Sequence, residues 1–362
     1  MLGFVELLRA ALDAGASDIF IVSGQPLSYK AEGRIVTVDQ EKVMPDTSRA
    51  LVEEAYQEAG RSMRLLEESG DDDFAVSVKR LARFRISTYK QRGSLAAVIR
   101  VISFGIPDYQ KLGIPESVMN VADTKKGLVL VTGSAGNGKS TTLACLIDRI
   151  NKTRSGHIIT LEEPIEFLYR NDKSIISQRE IELDSHDYVT ALRACLRQAP
   201  DVILLGEMRD YETIKTAMTA AETGHLVLST LHTLGAVNTI DRIIDIFPPQ
   251  QQHQIRMQLS ALLRSVISQQ LVPNVNGGVT PVFEIMHANN AIRNMIRESK
   301  AFQLDSVIAS SSQEGMVTMD QSILRLVQAG RVHPDTALRH AANSDWMIRR
   351  LAALAGGAEK TK

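Results

Sequence analysis

Eight residues near the middle of the chain constrain its fold more than any other stretch. Residues 133–140 read Gly-Ser-Ala-Gly-Asn-Gly-Lys-Ser and fit the phosphate-binding pattern G-x-x-x-x-G-K-[ST]. The apolar run at 128–131 predicts a buried parallel strand before them, and residues 141–147 predict a helix after them. A strand, a glycine-rich loop and a helix N-terminus together form a site for a polyphosphate. The alternative is a glycine-rich turn that matches by chance, and the two correct flanks argue against it.

The residues of this loop have separate roles in such a site. Lys139 would reach the β- and γ-phosphates, and the Ser140 hydroxyl would bind Mg²⁺. The backbone of the loop and of the first helical turn would surround the phosphates, through Gly133, Ser134, Ala135, Gly136, Asn137, Gly138, Lys139, Ser140 and Thr141. The octet therefore predicts that the chain binds a nucleoside triphosphate together with Mg²⁺.

Length, charge and cysteine content exclude several classes of protein. With 362 residues the chain is long enough for about two domains. A net charge of -1 argues against a nucleic-acid partner, which usually requires a basic surplus. Cys145 and Cys195 form no C-x-x-C pair, so we expect neither a disulfide framework nor a zinc site. The sequence has no signal-peptide pattern and no apolar run of the ~20 residues that a membrane helix needs.

The hydrophobic pattern predicts an α/β chain with two domains. We expect a small α/β domain at 1–102, a linker at 103–112 and a second domain at 113–362. The first would contain helices at 4–12 and 47–58 and strands at 18–22, 27–31, 34–38, 74–78, 81–88 and 96–102. In the second, strands at 128–131, 157–161, 202–205 and 226–229 would form a parallel sheet. From Pro248 onward we expect helices to dominate.

Acidic residues follow two of these strands, at the edge where parallel sheets hold ligands. Glu207 lies just past the end of the strand at 202–205, after Gly206, and we interpret it as the catalytic carboxylate that activates water. Glu162, Glu163 and Glu166 share one turn and would repel one another unless a cation such as nucleotide-bound Mg²⁺ lies nearby. We interpret them as catalytic carboxylates that position the metal and the water. The alternatives are a solvated loop acid and an exposed acidic turn. We expect Arg209 and Asp210, next to Glu207, to form a local ion pair.

Two histidines lie at opposite ends of the strand at 226–229. His232 follows it, at the edge where ligands bind, and we favour a role in sensing phosphate or a neighbouring subunit. His225 precedes the strand, and for it a structural and a functional role are equally open.

Four motifs follow one another along the chain: residues 133–142 (Walker A), 160–167 (Asp box), 200–210 (Walker B) and 223–233 (His box). Their order and spacing resemble those of the secretion-type hexameric ATPases, most closely the PilT-type retraction motors of type IV pili. The resemblance extends over about residues 5–345. Residues 291–298, Ala-Ile-Arg-Asn-Met-Ile-Arg-Glu, also resemble the A-I-R-N-L-I-R-E signature of the retraction motors. Arg293 and Arg297 lie one helical turn apart there, so we expect an acidic partner for them.

The resemblance implies a PAS-like N-terminal domain and a RecA-like domain with a helical C-terminal part, in a ring of six chains. ATP with Mg²⁺ would bind between the two domains, with Glu163 as a further ligand of the metal. Arginines of the first domain would close over the phosphates, and the matching residues are Arg85, Arg100, Arg83 and Arg92. The turn at 91–93 leaves open whether Arg85 and Arg100 share one face of their sheet.

A few residues depart from the family pattern. Ala135 and Asn137 replace the more common Thr and Ser, which a loop that works through backbone N–H groups should tolerate. Glu163 replaces an Asp, which lengthens the reach of the carboxylate by one methylene. None of these changes removes a catalytic group.

These observations predict a cytoplasmic ATPase motor that drives pilus retraction, at the cytoplasmic face of the inner membrane. It would reach the membrane only through a partner, the pilus platform protein. The alternatives are a motor of the same class for pilus assembly, type II secretion or DNA uptake, a nucleotide-binding scaffold that does not hydrolyse, and a helicase. The signature at 291–298 argues against the first, and the intact Lys139, Ser140 and Glu207 argue against the second. The near-neutral charge argues against the third.

Overall fold

The computed structural model describes residues 2–31, 33–102 and 105–359. The chain divides into two compact units, Met1–Gly105 and Ile106–Lys362. Ser103 and Phe104 of the predicted linker, and Glu32 of the predicted hairpin turn, lie outside the described residues. Later residues of the predicted linker, Ile106, Tyr109 and Leu112, pack against a hydrophobic core cluster of the second unit.

The first unit is a six-stranded antiparallel sheet with helices packed on one face. Its elements are α1 (Phe4–Asp13), β1 (Asp18–Ile21), β2 (Pro26–Ala31), β3 (Arg34–Lys42), α2 (Pro45–Ala59), α3 (Arg64–Ser69), β4 (Asp71–Val78), β5 (Ala82–Gln91) and β6 (Ser94–Ile102). The strand order is β3-β2-β1-β6-β5-β4. Phe84 and Ile86 alternate with less buried neighbours along β5, because successive side chains of a strand point to opposite faces. The helices and strands predicted for this unit are confirmed, and α3 was not predicted.

The second unit is built on a seven-stranded sheet of order β13-β12-β7-β11-β10-β8-β9. Its elements are α4 (Tyr109–Leu112), α5 (Glu116–Met119), β7 (Gly127–Thr132), α6 (Lys139–Thr153), β8 (His157–Glu162), β9 (Ile175–Glu180), α7 (Tyr188–Cys195), β10 (Val202–Leu205), α8 (Tyr211–Glu222), β11 (Leu226–Leu231), α9 (Ala236–Asp245), α10 (Pro249–Leu262), β12 (Leu263–Pro273), β13 (Val279–His287), α11 (Asn290–Arg297), α12 (Leu304–Ser310), α13 (Met319–Gln328), α14 (Pro334–His340) and α15 (Ser344–Glu359).

The centre of this sheet is parallel, as the apolar runs predicted. β7 pairs with β11, β11 with β10, and β10 with β8, all in parallel register. Every residue of β7, β10 and β11 is buried, because helices cover both faces of the sheet. Their carboxyl ends therefore meet along one edge, where the loop after β7 and the residues after β8, β10 and β11 converge.

The prediction that helices dominate from Pro248 onward is wrong for residues 263–287. This segment forms β12 and β13, an antiparallel hairpin whose first strand also pairs in parallel with β7. Polar residues such as Ser268 and Gln269 interrupt the apolar run of β12, although both are buried. The turn residues Asn276, Gly277 and Gly278 were the signal that could have identified the hairpin.

The C-terminal helices form a separate small core against this hairpin. Val272 and Val282 of the hairpin pack with Met319 and Ile323 of α13 and with Met347 of α15. In the part of the chain that the structure describes, no helix has the length and apolarity to cross a membrane.

Candidate functional site: a phosphate-binding cavity

One cavity of about 230 Å³ lies at the carboxyl edge of the parallel strands. The predicted site residues that line it are Ala135, Gly136, Lys139, Ser140, Glu162, Glu163, Glu166, Glu207 and His232. They come from four segments that the fold brings to the same edge, because β7, β8, β10 and β11 run in the same direction. The remaining residues of the octet complete the loop between β7 and α6.

The loop has the glycines that its backbone requires. Gly133, Gly136 and Gly138 adopt φ angles of 144°, 78° and 79°, a region that L-residues with a side chain rarely occupy. A Cβ atom at Gly133 would also overlap the main-chain oxygen of Gln269 on β12. The loop therefore lies directly against the strand that the sequence did not predict.

Lys139 is buried within the loop that it serves. Its Nζ donates hydrogen bonds to the main-chain oxygens of Gly133 and Ser134, at 2.8 and 3.0 Å. Burial lowers the pKa of Lys139, while the negative charges of Glu207 and Glu166 act in the opposite direction. The side chain is thus held at the mouth of the loop, where its charge would meet a phosphate.

The acidic turn after β8 contributes three carboxylates with different surroundings. Glu166 accepts a hydrogen bond from the Ser140 hydroxyl at 3.2 Å, and Glu163 is exposed. Glu162 is buried, accepts a hydrogen bond from the Thr160 hydroxyl at 2.6 Å, and has its pKa raised by burial to about 7. The alternative of one exposed acidic turn therefore does not fit, because Glu162 is buried.

Hydroxyl and carboxylate oxygens are the donors that Mg²⁺ prefers, and Ser140 and Glu166 bring such oxygens together. Over the described residues, no group of three or more His, Cys, Asp or Glu could hold a metal ion. These oxygens fit a Mg²⁺ that takes other ligands from water and phosphate, which is the usual way in which Mg²⁺ binds at nucleotide sites.

Glu207 is held from two sides. One carboxylate oxygen accepts a hydrogen bond from Arg209, and the other lies 3.2 Å from Nε2 of His232. The Glu207 side chain is only 12% exposed. The predicted ion pair of Arg209 with Asp210 is wrong, because Asp210 instead caps α8 by accepting from the Thr213 backbone N–H and hydroxyl, each at 2.9 Å.

The two histidines are separated by the full length of β11. His232 reaches the cavity and Glu207. His225 lies at the other end of the strand, with Nδ1 2.9 Å from the main-chain oxygen of Ala220 and 3.1 Å from the Thr223 hydroxyl. Six strand residues span roughly 20 Å, so within this unit His225 does not belong to the cavity. Its contacts are those of a residue that closes the end of α8.

The arginines of the first unit are described within that unit. Arg85 on β5 lies directly opposite Arg100 on β6, so the two share one face of the sheet, and Arg83 shares it two residues earlier. Arg100 forms an ion pair with Asp18 at 3.0 Å. Arg92 and Gly93 have φ angles of 48° and 78° and make the tight turn between the strands. The parity of Arg85 and Arg100, which the sequence left open, is settled by this register.

Sequence reasoning missed the residues of β12 that contact the loop and the start of α6. Oε1 of Gln269, on β12, accepts a hydrogen bond from the Thr142 hydroxyl at 2.7 Å. Oδ1 of Asn137 accepts one from the backbone N–H of Leu271 at 3.4 Å. Asn137 is therefore more than a tolerated substitution, because its side chain ties the loop to the hairpin. Tyr188, on α7, also lines the cavity and was not predicted.

The signature at 291–298 forms α11. Ile292 and Ile296 are buried and Met295 packs against the same core, as the helical pattern predicted. Arg293 donates to the main-chain oxygens of Ala288 and Ala261, at 2.9 and 3.4 Å. Arg297 donates to the side chain of Asn294 at 3.2 Å. The expected acidic partner is thus replaced by carbonyl groups within the described chain.

Known proteins share this architecture. The chain matches the family described as Type II/IV secretion system protein over residues 4–339. It is 41% identical over 336 residues to the Pseudomonas aeruginosa protein named Type IV pilus retractation ATPase PilT, covering 93% of this chain and 97% of that protein. The Type IV pilus ATPase PilU of Pseudomonas aeruginosa is 38% identical, covering 94% of this chain and 89% of that protein. A crystal structure of the pilus retraction motor PilT with bound ADP matches with a TM-score of 0.88 at 42% identity, over 96% of this chain and 100% of that chain.

Proposed function

Because this chain belongs to the Type II/IV secretion system protein family, we propose that it is an ATP-hydrolysing motor that powers retraction of a type IV pilus. Its similarity to the proteins named PilT and PilU extends over more than nine tenths of the chain. The signature at 291–298 further favours retraction within the family.

One observation carries the enzymatic part of this proposal. Glu207, oriented by Arg209 and His232, lines the same cavity as Lys139 and Ser140. A phosphate-binding loop and an oriented carboxylate in one cavity are the groups that nucleotide hydrolysis requires. A scaffold that only binds nucleotide would not need the carboxylate to be positioned so closely.

The residues of the cavity divide the work. Lys139 neutralises charge at the β- and γ-phosphates, and the N–H groups of the loop hold their oxygens. Ser140, with Glu163 and Glu166, would hold Mg²⁺. Glu162, which is buried and accepts a hydrogen bond from the Thr160 hydroxyl, helps to hold the turn after β8 in place. Glu207 accepts a hydrogen bond from the attacking water and so orients it. When bound, MgATP supplies the phosphoryl group and the metal charge that makes this group a better electrophile.

Motor action requires several chains. We propose a ring of six, in which movement of the two domains lets Arg85, Arg100, Arg83 and Arg92 help to close nucleotide sites. The shared face of Arg83, Arg85 and Arg100 supports this role, because their charges would act together on one phosphate group. We further propose that the ring acts at the cytoplasmic face of the inner membrane, on the pilus platform protein.

The enzymatic part is tested by phosphate release from purified protein. The wild-type chain should release phosphate from ATP in the presence of Mg²⁺. Glu207→Gln should bind ATP with nearly unchanged affinity and lose roughly 99% or more of its kcat, because the amide cannot accept the water proton in the same way. Glu212→Gln, an exposed glutamate on α8, is the matched control and should keep full activity. Near wild-type kcat in Glu207→Gln would overturn the assignment.

A further inference from the structure

Tyr188 is a polar group of the cavity that the mechanism above does not use. It is the first residue of α7, a position fixed by Asp187, which accepts a hydrogen bond from the Thr190 backbone N–H at 2.7 Å and so caps the helix. Its ring packs against the main core of the unit, and its side chain lines the cavity together with Lys139 and Glu207. The capped helix and the packed ring therefore restrict the movement of the hydroxyl.

The hydroxyl lies close to the backbone that carries Glu207. A Cβ atom at Gly206 would lie 2.8 Å from the Tyr188 Oη, so a side chain at this position would displace the hydroxyl. Gly206 is itself held at both ends, since its N–H donates to the Leu161 oxygen at 2.8 Å and its oxygen accepts from the Thr230 hydroxyl at 2.7 Å. Tyr188 Oη thus lies beside a well-held stretch of backbone at the junction of β8 and β10, next to the proposed catalytic carboxylate.

The surroundings keep this hydroxyl protonated. Burial, followed by the negative charges of Glu163 and Glu207, raises the pKa of Tyr188 above its ordinary value, and Arg209 opposes this only in part. Among the residues that the structure describes, none forms a hydrogen bond with this hydroxyl, and Tyr188 is only partly buried where it lines the cavity. Tyr188 is therefore a neutral donor, at a rigid position, in a cavity whose other nearby groups are mainly carboxylate acceptors.

We propose that Tyr188 is a further catalytic residue, whose hydroxyl donates a hydrogen bond to an oxygen of the terminal phosphoryl group beside Glu207. This inference rests on the proposed ATPase function. Its physical basis is that an anionic phosphoryl group placed near Glu163 and Glu207 gains from a neutral donor on that side, in addition to the charge of Lys139. Tyr188 keeps its proton throughout, so the balance of hydrolysis is unchanged.

The fold supplies a matched control. Tyr211 is the first residue of α8 and follows a capping aspartate, Asp210, just as Tyr188 follows Asp187. Its hydroxyl lies 3.1 Å from the Gln251 side chain and does not line the cavity. Tyr188→Phe and Tyr211→Phe thus remove the same atom from the same local structure, once inside the cavity and once outside it.

The test is phosphate release by the full chain over a range of ATP concentrations with Mg²⁺, for wild type, Tyr188→Phe and Tyr211→Phe, with melting temperatures from the same samples. We expect kcat/KM to fall roughly three- to tenfold in Tyr188→Phe, the effect of one lost hydrogen bond, and less than 1.5-fold in Tyr211→Phe. Both should melt within about 2 °C of wild type, because the rings remain. If the wild type is active and Tyr188→Phe has the same kcat/KM as the wild type, this inference is overturned while the proposed function stands. A wild type that releases no phosphate would overturn the proposed function and this inference with it.

Discussion

Nε2 of His232 lies 3.2 Å from Oε2 of Glu207, across two neighbouring strands of the sheet. The contact follows from the register in which Leu205 at the end of β10 pairs with Ser229 of β11. Glu207 lies two residues after β10 and His232 directly after β11, so the sheet itself brings them to one edge. The histidine therefore helps to hold the Glu207 carboxylate, the proposed catalytic group, at the edge of the cavity.

This contact predicts that His232→Ala lowers kcat by roughly tenfold, because Glu207 would then be oriented by Arg209 alone. ATP affinity should change less than threefold, since His232 does not belong to the phosphate loop. His225→Ala, at the opposite end of the same strand, is the comparison and should alter kcat less than twofold. The measurement is phosphate release together with binding of a fluorescent ATP analogue. Equal losses in the two variants would contradict the placement of His232.

That Glu207 and His232 lie at the same edge of the sheet could be predicted from sequence, because both follow apolar strands typical of a parallel sheet, but their contact could not. Neither could the identity of the partner of Arg209. Asp210 is its neighbour in sequence, but the N-terminus of α8 needs a capping acceptor, and Asp210 serves there instead. Asp210 therefore caps α8, which begins at the next residue, and does not pair with the neighbouring Arg209.

Burial of Glu162 predicts a pH dependence of stability. Its pKa is raised to about 7 in the folded chain, from an ordinary value of 4.5. The folded state therefore binds more protons than the unfolded state between these values, so the stabilising contribution is full below about pH 4.5 and is lost as pH rises through 7. The loss amounts to at most about 3 kcal/mol.

Glu162→Gln should remove this dependence, because the amide is neutral and keeps the acceptor for the Thr160 hydroxyl. Urea unfolding without nucleotide, between about pH 5.5 and 8.5, gives the free energy of unfolding of each protein. The variant should gain stability over wild type as pH rises. A constant difference between the two proteins across this range would show that Glu162 does not titrate there.

The hydrogen bond between Thr142 and Gln269 predicts a role for β12 in nucleotide affinity. Gln269→Met keeps the size of the side chain but leaves the Thr142 hydroxyl without its acceptor, so the loop should loosen. We expect ATP to bind roughly five- to tenfold more weakly. Gln270→Met, on the opposite face of the same strand, should bind ATP as wild type does. Titration with a fluorescent ATP analogue measures the affinity of each variant. Equal affinities of Gln269→Met and Gln270→Met would contradict the role of Gln269.

The close packing of the loop on β12 also predicts unequal effects of alanine at two of its glycines. Gly133→Ala would overlap the main chain of Gln269 and should cost about 3 kcal/mol of unfolding free energy. Gly136→Ala has open space around its Cβ and should cost only the backbone strain of a positive φ, about 1 kcal/mol. Urea unfolding without nucleotide measures both. Equal losses would mean that the loop does not rest on β12.

The support behind the loop shows why the sequence could not give the whole site. The octet is recognisable because its glycines, Lys139 and Ser140 act within eight consecutive residues. Gln269 contacts the loop from more than a hundred residues away, on a strand whose buried polar residues break the apolar run. Tyr188 escaped for a related reason, since a tyrosine at the start of a helix has no pattern that indicates a cavity. Pairwise contacts of this kind depend on strand order, which the sequence pattern does not contain.

The central claim, that hydrolysis at Glu207 drives pilus retraction, is tested most directly by imaging labelled pili on living cells of the source organism. Cells lacking this chain, and any second retraction ATPase, would be supplied with wild type or Glu207→Gln, and the rate at which individual pili shorten would be measured. We predict normal shortening with wild type, and long pili that do not shorten with Glu207→Gln or with no chain. Pili that shorten at the wild-type rate with Glu207→Gln, or cells that have no pili when the chain is absent, would contradict the account.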